Sequence, residues 1–251
     1  MHNLGHTRSA RRSDNLLLTP DTFVRAPLPG MKRATAVVHA GLSLGAGFTE
    51  YTAEFEAGGE LGPADAQRFL YVLEGKIELE IQGKNSRLAA RGYAFFPQGL
   101  MHRVMAAEES RAVVVEKNYC PVASARRPDL IVSSEDAVAA QSLAGDSDLI
   151  VKCLLPDDCS FDFAMNTMRY QPGAALSMVE MHVMEHGLVM LEGGGIYRLG
   201  DSWYGVKAGD FIWMAPWCPQ WFGAIGKSPA KYLIYKDWNR HPLAKAHESG
   251  N

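Results

Sequence analysis

The chain has 251 residues, of which 47% are hydrophobic and 21% charged, with a formal net charge of −3. That length holds one large domain or two smaller ones around a sizeable core, in the composition of an ordinary soluble protein. The charge balance leaves no electrostatic footprint for nucleic acid, and no apolar run approaches the ~18 residues of a membrane-spanning helix.

The N-terminus carries Arg8, Arg11 and Arg12 ahead of Leu16-Leu17-Leu18. That apolar stretch is too short for a secretory signal, so a disordered tail is expected. Short strands separated by Gly, Pro and Asp turns follow at Phe69–Leu73, Lys76–Ile81, Tyr93–Phe96 and Ala112–Lys117. Residues 123–147 read as a linker, with the polar run Ser133-Ser134-Glu135-Asp136 and a short helix over Glu135–Leu143. Further strands are expected at Phe163–Tyr170, Leu188–Leu191, Ile196–Leu199, Phe211–Met214 and Tyr232–Lys236. Regular short strands with turn signals argue an all-β barrel or sandwich.

The two halves repeat. Phe69-Leu-Tyr-Val-Leu-Glu-Gly75 parallels Gly187-Leu-Val-Met-Leu-Glu-Gly193 at an offset of 118 residues. The same offset sets Gly92–Pro97 beside Gly209–Pro216, the second copy having two extra residues, and His102 on Gln220. This predicts domains over 14–122 and 148–251. Cys120, Cys153, Cys159 and Cys218 form no CxxC pair, which suits reduced, mostly buried thiols in a cytosolic protein. Cys218, two residues from Gln220, reads as a small apolar filler.

The chemistry is concentrated in Glu180-Met181-His182-x3-His186, followed by Gln220. Flanking Met and Val residues and Gly193-Gly194-Gly195 have strand-and-turn composition, so Glu180 and His182 are expected to share one face of a strand. Taken singly, each is a chance polar residue on a surface strand. As a cluster in one copy of a repeat and missing from the other, they point to a divalent first-row metal. Gln220 reads either as a loop amide bonded to backbone or as a neutral oxygen ligand. The latter suits Mn²⁺ better than a thiolate-seeking metal, with Fe²⁺ and Ni²⁺ open.

In the first half the corresponding positions hold Gly62, Ala64 and Arg68, leaving only His102. A guanidinium has no lone pair to give a metal. The first domain is therefore expected to be metal-free, with His102 a hydrogen-bonded structural residue. His182-Val-Met-Glu-His186 also fits a zinc-peptidase signature, but that chemistry needs a helix, and Val183, Val189 and the glycines argue against one.

Tyr232, Ile234 and Lys236 share one face of a strand, with Leu233 and Tyr235 on the other. Lys236 is then either a solvated edge charge or a cation placed inside the barrel. Tyr197 reads equally as a core or a pocket residue. Glu185 should face away from His186 and support the structure. Trp213, Trp217, Trp221 and Phe222 read as core or pocket wall, and Met178, Met181, Met184 and Met190 as barrel packing.

Two β halves with this metal cluster, and with Gly92-x4-Pro97-x-Gly99-x2-His102 in the first, resemble a bicupin. The ligand order is permuted: Glu180 holds the first His position of the cupin pattern, His186 the Glu position and Gln220 the last His position. That set resembles one family, the (S)-ureidoglycine aminohydrolases of purine (allantoin) breakdown. The likeness runs through nearly the whole chain. It includes Leu18-Thr-Pro-Asp21, Phe69–Val72, Tyr119-x-Pro121-Val122, Phe161-Asp162 and Pro172-Gly173-Ala174. It continues through Glu180-x-His182-x2-Glu185-His186-Gly187, Gly209-Asp210 and Tyr235-Lys236-Asp237-x-Asn239-Arg240. The lead-in Pro216-Trp-Cys-Pro-Gln220 is a local departure.

The resemblance implies an all-β bicupin of two tandem double-stranded β-helix (jelly-roll) barrels with few short helices. It implies one Mn²⁺ per chain, held in the C-terminal barrel by Glu180, His182, His186 and Gln220. It implies substrate contacts from Glu180, Gln220, Tyr197, Tyr232 and Lys236, with Lys236 and Glu180 catalytic. The implied reaction hydrolyses (S)-ureidoglycine to (S)-ureidoglycolate and ammonia. A cytoplasmic homo-oligomer with a small ureide as its substrate is expected, without nucleic-acid or membrane partners. The alternatives are another metal-dependent cupin enzyme, such as a dioxygenase or isomerase, or a non-catalytic bicupin that binds a small molecule.

Overall fold

The strands form where apolar residues alternate, and the longest sets the shape of the first unit. In the computed structural model, which describes residues 5–123 and 125–240, Thr49–Leu61 places Tyr51, Ala53 and Phe55 in the first core. Residues 241–251, the end of the expected C-terminal domain, lie outside the described residues. The described chain divides into two compact units, one built mainly on residues 16–119 and 129–139 and the other on residues 140–240 with residues 12–15 and 120–128.

The first unit is a nine-stranded sheet curled on itself. Thr49–Leu61 pairs with Met31–Ala40 and Ser110–Lys117 along most of its length, then with His102–Ala106 through Glu60 and Leu61. Gln67–Glu74 lies between Ser110–Lys117 and Gly92–Phe96, while Lys76–Ile81 lies between Lys84–Ala89 and His102–Ala106. Leu70, Val72, Ile77, Leu79, Phe96, Val104 and Val114 fill the interior.

The second unit repeats the plan. Its larger sheet runs Phe211–Met214, His186–Glu192, Ala230–Asp237, Phe163–Tyr170, Asp146–Cys153 and Gln141–Leu143, each antiparallel to the next. A smaller sheet has Gly194–Leu199 between Ser202–Lys207 and Gln220–Ala224. Helical structure among the described residues is three short 3₁₀ turns, Pro20–Thr22, Leu42–Leu44 and Glu135–Ala137. This is the all-β, two-barrel architecture that the resemblance to bicupins implied.

Register makes the repeat concrete. Arg68 lies opposite Glu116 on one side and Phe96 on the other; His186 lies opposite Lys236 and Met214. His102 pairs with Ile81, as Gln220 pairs with Leu199. In each copy the Leu-Glu-Gly turn needs its glycine. Gly75 and Gly193 have positive φ, +81° and +63°, and a Cβ there would strike backbone of Glu109–Ser110 and Pro229–Ala230 respectively.

Three expectations change. From Ser9 onward the N-terminal segment is not a free tail: Ala10–Arg11 pairs with Leu16 and Leu17, and Ser9 hydrogen-bonds Thr19 and Thr22. The helix expected over Glu135–Leu143 is a 3₁₀ turn capped by Ser134, followed by the strand Gln141–Leu143. The cysteines are all free, but Cys153 and Cys159 are exposed, and only Cys218 is buried.

Candidate active site in the second barrel

The site is assembled from a loop and three strands of the second unit. Residues 178–185 do not form the strand expected for Glu180 and His182. Glu180 instead makes an isolated two-bond bridge with Gln220, and the His182 carbonyl accepts from Trp217 N–H at 2.7 Å. Few backbone bonds tie this segment down, and Met178 and Met181 lie exposed on it rather than packing the barrel. The backbone is not helical between His182 and His186, so the peptidase geometry is absent from these residues.

The four chemistry-bearing side chains nevertheless converge. His182 Nε2 is 3.3 Å from His186 Nε2, 2.8 Å from the Gln220 amide Nε2 and 4.0 Å from a Glu180 carboxylate oxygen. His186 and Gln220 are buried, whereas Glu180 keeps 41% of its side-chain surface exposed. His186 Nδ1 lies 3.2 Å from the Tyr235 carbonyl; donating there leaves Nε2 as a lone pair. Burial, then Lys236 and His182, hold the His186 imidazole well below its ordinary pKa, so it stays neutral. His182 Nδ1 is buried with no hydrogen-bond partner.

Metal–nitrogen bonds of about 2.0–2.1 Å put adjacent ligand atoms roughly 3 Å apart, and the His182, His186 and Gln220 atoms have that spacing. The two ends of an amide are nearly equal in size, so half a turn presents the Gln220 oxygen in place of its nitrogen. Among the described residues no three His, Cys, Asp or Glu groups close into a finished metal site; Glu180 stands outside the tight group. The donor set is neutral nitrogen and oxygen with one carboxylate in reach. That set fits a manganese-type ion.

Lys236 faces inward. It is the cross-strand partner of His186, so the two side chains share a face with Tyr232 and Ile234. Burial pushes its ammonium below the usual lysine range, opposed by the Glu180 carboxylate. Tyr232 and Tyr197 are buried, and burial holds both phenols in the protonated form. Leu233 and Tyr235, on the opposite face, are buried as well.

Sequence reasoning missed Tyr170. Its hydroxyl lies 2.7 Å from that of Tyr232, and its ring meets Phe222 edge-on. An isolated tyrosine ending an apolar strand gives no signal; only the register brings it to the site. Trp213 is buried and donates to Glu185 at 2.7 Å, which confirms Glu185 as a support. Trp217, expected in a wall or core, is 61% exposed at a positive φ of 67°. That left-handed turn is how Pro216-Trp-Cys-Pro delivers Gln220 into its strand.

The same positions in the first barrel are filled from within. Arg68 donates to Glu116 at 2.8 Å through Nε, to the Gly62 carbonyl at 2.6 Å, and contacts His102 Nε2 at 2.9 Å. His102 is lowered to about 4, chiefly by burial, so it is neutral and accepts from the guanidinium. An organic cation stands where the second barrel gathers metal-type donors.

A cupin-domain model matches residues 166–235 and an EutQ-like cupin-domain model residues 42–119. The (S)-ureidoglycine aminohydrolase of Arabidopsis thaliana is 39% identical over 95% of this chain and 80% of its own length. That of Escherichia coli K12 is 34% identical, covering 89% of this chain and 88% of its own. The chain belongs to the (S)-ureidoglycine aminohydrolase family. Among solved structures, E. coli protein YlbA superposes with a TM-score of 0.83 at 29% identity, covering 94% of this chain and 96% of that one. A Bacillus subtilis oxalate decarboxylase with Mn(II) centres shares the bicupin fold alone, with a TM-score of 0.68 at 12% identity over 93% and 80% of the two chains.

Proposed function

We propose that this member of the aminohydrolase family hydrolyses (S)-ureidoglycine to (S)-ureidoglycolate and ammonia, as a manganese-dependent step of purine catabolism. Similarity to named aminohydrolases over 95% of the chain carries the substrate assignment. Glu180, His182, His186 and Gln220 would hold the ion, which when bound supplies a Lewis-acid anchor for the substrate's carboxylate or amine.

The chain's own residues do the rest. The reacting carbon bears an amine, a ureido nitrogen and a carboxylate. Lys236, as an ammonium, gives a proton to the leaving amine as the C–N bond breaks. The ureido nitrogen's lone pair supports the electron-poor carbon. Water adds to that carbon, and its proton returns to the Lys236 amine. Burial already moves Lys236 towards the pH range where both directions of transfer work. The neutral Tyr197 and Tyr232 hydroxyls would donate to ureido or carboxylate oxygens. Such an aminal-type carbon loses ammonia readily, so the main task is to fix which face meets water, an orientation effect.

Four free cysteines fit a reducing cytoplasm, and a homo-oligomer is proposed with it. Chelator-stripped protein should lose enzymatic ammonia release and recover it with Mn²⁺. Full activity of protein shown to be metal-free would overturn the manganese assignment.

A further inference from the structure

We infer that Asn166 recognises the ureido group of the substrate, an inference that rests on the reaction proposed above. Asn166 lies in Phe163–Tyr170 opposite Ile234, between Ala164, which faces Lys236, and Met168, which faces Tyr232. Cross-strand partners share a face, so Asn166 sits on the same interior face as Lys236 and Tyr232, diagonal to both. Diagonal neighbours are about 7–8 Å apart, close enough for one small molecule to touch all three. Ala164 contributes only a methyl group opposite Lys236.

Asn166 is 7% exposed and makes no side-chain hydrogen bond among the described residues, yet its amide is not fully enclosed. Asparagine is depleted in strands, and a buried amide left unpaired costs stability. Tyr170 and Tyr232, on the same face, share a single hydroxyl hydrogen bond, which leaves one O–H of the pair free to donate. Asn166 therefore lacks the role a structural amide would have.

Its chemistry matches one part of the substrate. A side-chain amide offers a carbonyl acceptor and an NH₂ donor side by side. The end of a ureido group offers an N–H and a C=O at the same spacing, so the two form a pair of parallel hydrogen bonds. Lys236 only donates and suits the carboxylate, while a tyrosine hydroxyl makes a single-point contact. With the ureido end held by Asn166, the reacting carbon lies towards His186 and Lys236.

N-carbamoylglycine tests this, because it carries the ureido and carboxylate groups without the amine. Calorimetry on manganese-loaded protein should show Asn166→Ala weakening its binding about 10- to 100-fold, while N-acetylglycine, which lacks the terminal NH₂, is hardly affected. KM for (S)-ureidoglycine should rise by a similar factor. Thermal stability should be little changed, since the amide holds nothing else in place; a structural asparagine would lower it. Asn166→Asp, the isosteric change, should weaken binding equally by losing the donor. Equal binding by wild type and both variants, or no binding by wild type, overturns the assignment. Wild type that binds N-carbamoylglycine but releases no ammonia from (S)-ureidoglycine overturns the reaction and leaves the ureido site standing.

Discussion

Lys236 and His186 face each other across two strands, and the Lys236 charge adds to burial in holding the His186 imidazole below its ordinary pKa. Their roles differ. Lys236→Met should lower kcat about 10²–10⁴-fold, the usual worth of a positioned acid–base group, with manganese content unchanged. His186→Ala should instead lose the metal. Steady-state ammonia release together with metal analysis separates the two; unchanged kcat in Lys236→Met would remove its proton-transfer role. Glu50, in the first unit, gives a pH test. Its carboxyl is fully buried with neither oxygen hydrogen-bonded, and burial pushes it up from 4.5 to about 8. The folded state thus holds a proton that the unfolded state releases. Stability from this group is complete below pH 4.5, declines as pH rises towards 8 and is flat beyond. Glu50→Gln should abolish that decline and be a few kcal/mol more stable than wild type at pH 8–9, measured by urea denaturation across pH. The sequence showed Glu180, His182, His186 and Gln220 because unusual chemistry was concentrated in one repeat copy. Tyr170 and Asn166 stayed hidden, since a lone polar residue in an apolar strand looks like core until its cross-strand neighbours are known.

Strands and turns were legible where period-two alternation and glycine turns were clean. Phe163–Tyr170, Lys76–Ile81 and Phe211–Met214 appear with the boundaries expected. Met31–Ala40 and Thr49–Leu61 were not foreseen, because polar residues interrupt their patterns and long-range pairing decides them. The stretch around Glu180 has strand composition but is tied down by an isolated bridge and a few single backbone bonds rather than a ladder. Such a loop can bring a carboxylate and an imidazole to a metal without spending sheet bonds on them. The turn glycines are the most exacting local feature. Gly75→Ala and Gly193→Ala combine a left-handed backbone with a Cβ driven into neighbouring main chain. Each should cost more than the ~1 kcal/mol typical of an unfavourable Gly→Ala change, read as a lowered denaturation midpoint. A change of a few tenths would show that the turn relaxes freely.

At the scale of the molecule, the same barrel plan is used twice with opposite fillings. The first copy neutralises its centre with Arg68, Glu116 and His102; the second gathers metal-type donors beside Lys236. Arg68→Ala leaves Glu116 without its buried partner and should cost about 3 kcal/mol, the low end for a broken buried pair, because Glu116 is 24% exposed. Manganese should remain at one per chain in that variant; a loss of metal would mean that the second barrel depends on the first. The repeat was legible as a 118-residue offset, but the internal cation was visible only as a missing ligand. The reaction itself is tested most directly with manganese-loaded protein and freshly generated (S)-ureidoglycine, following ammonia release and product chirality together against Glu180→Ala. The account predicts rapid release with only (S)-ureidoglycolate formed, both lost in the variant. Release no faster than the buffer blank, or a racemic product, would contradict it.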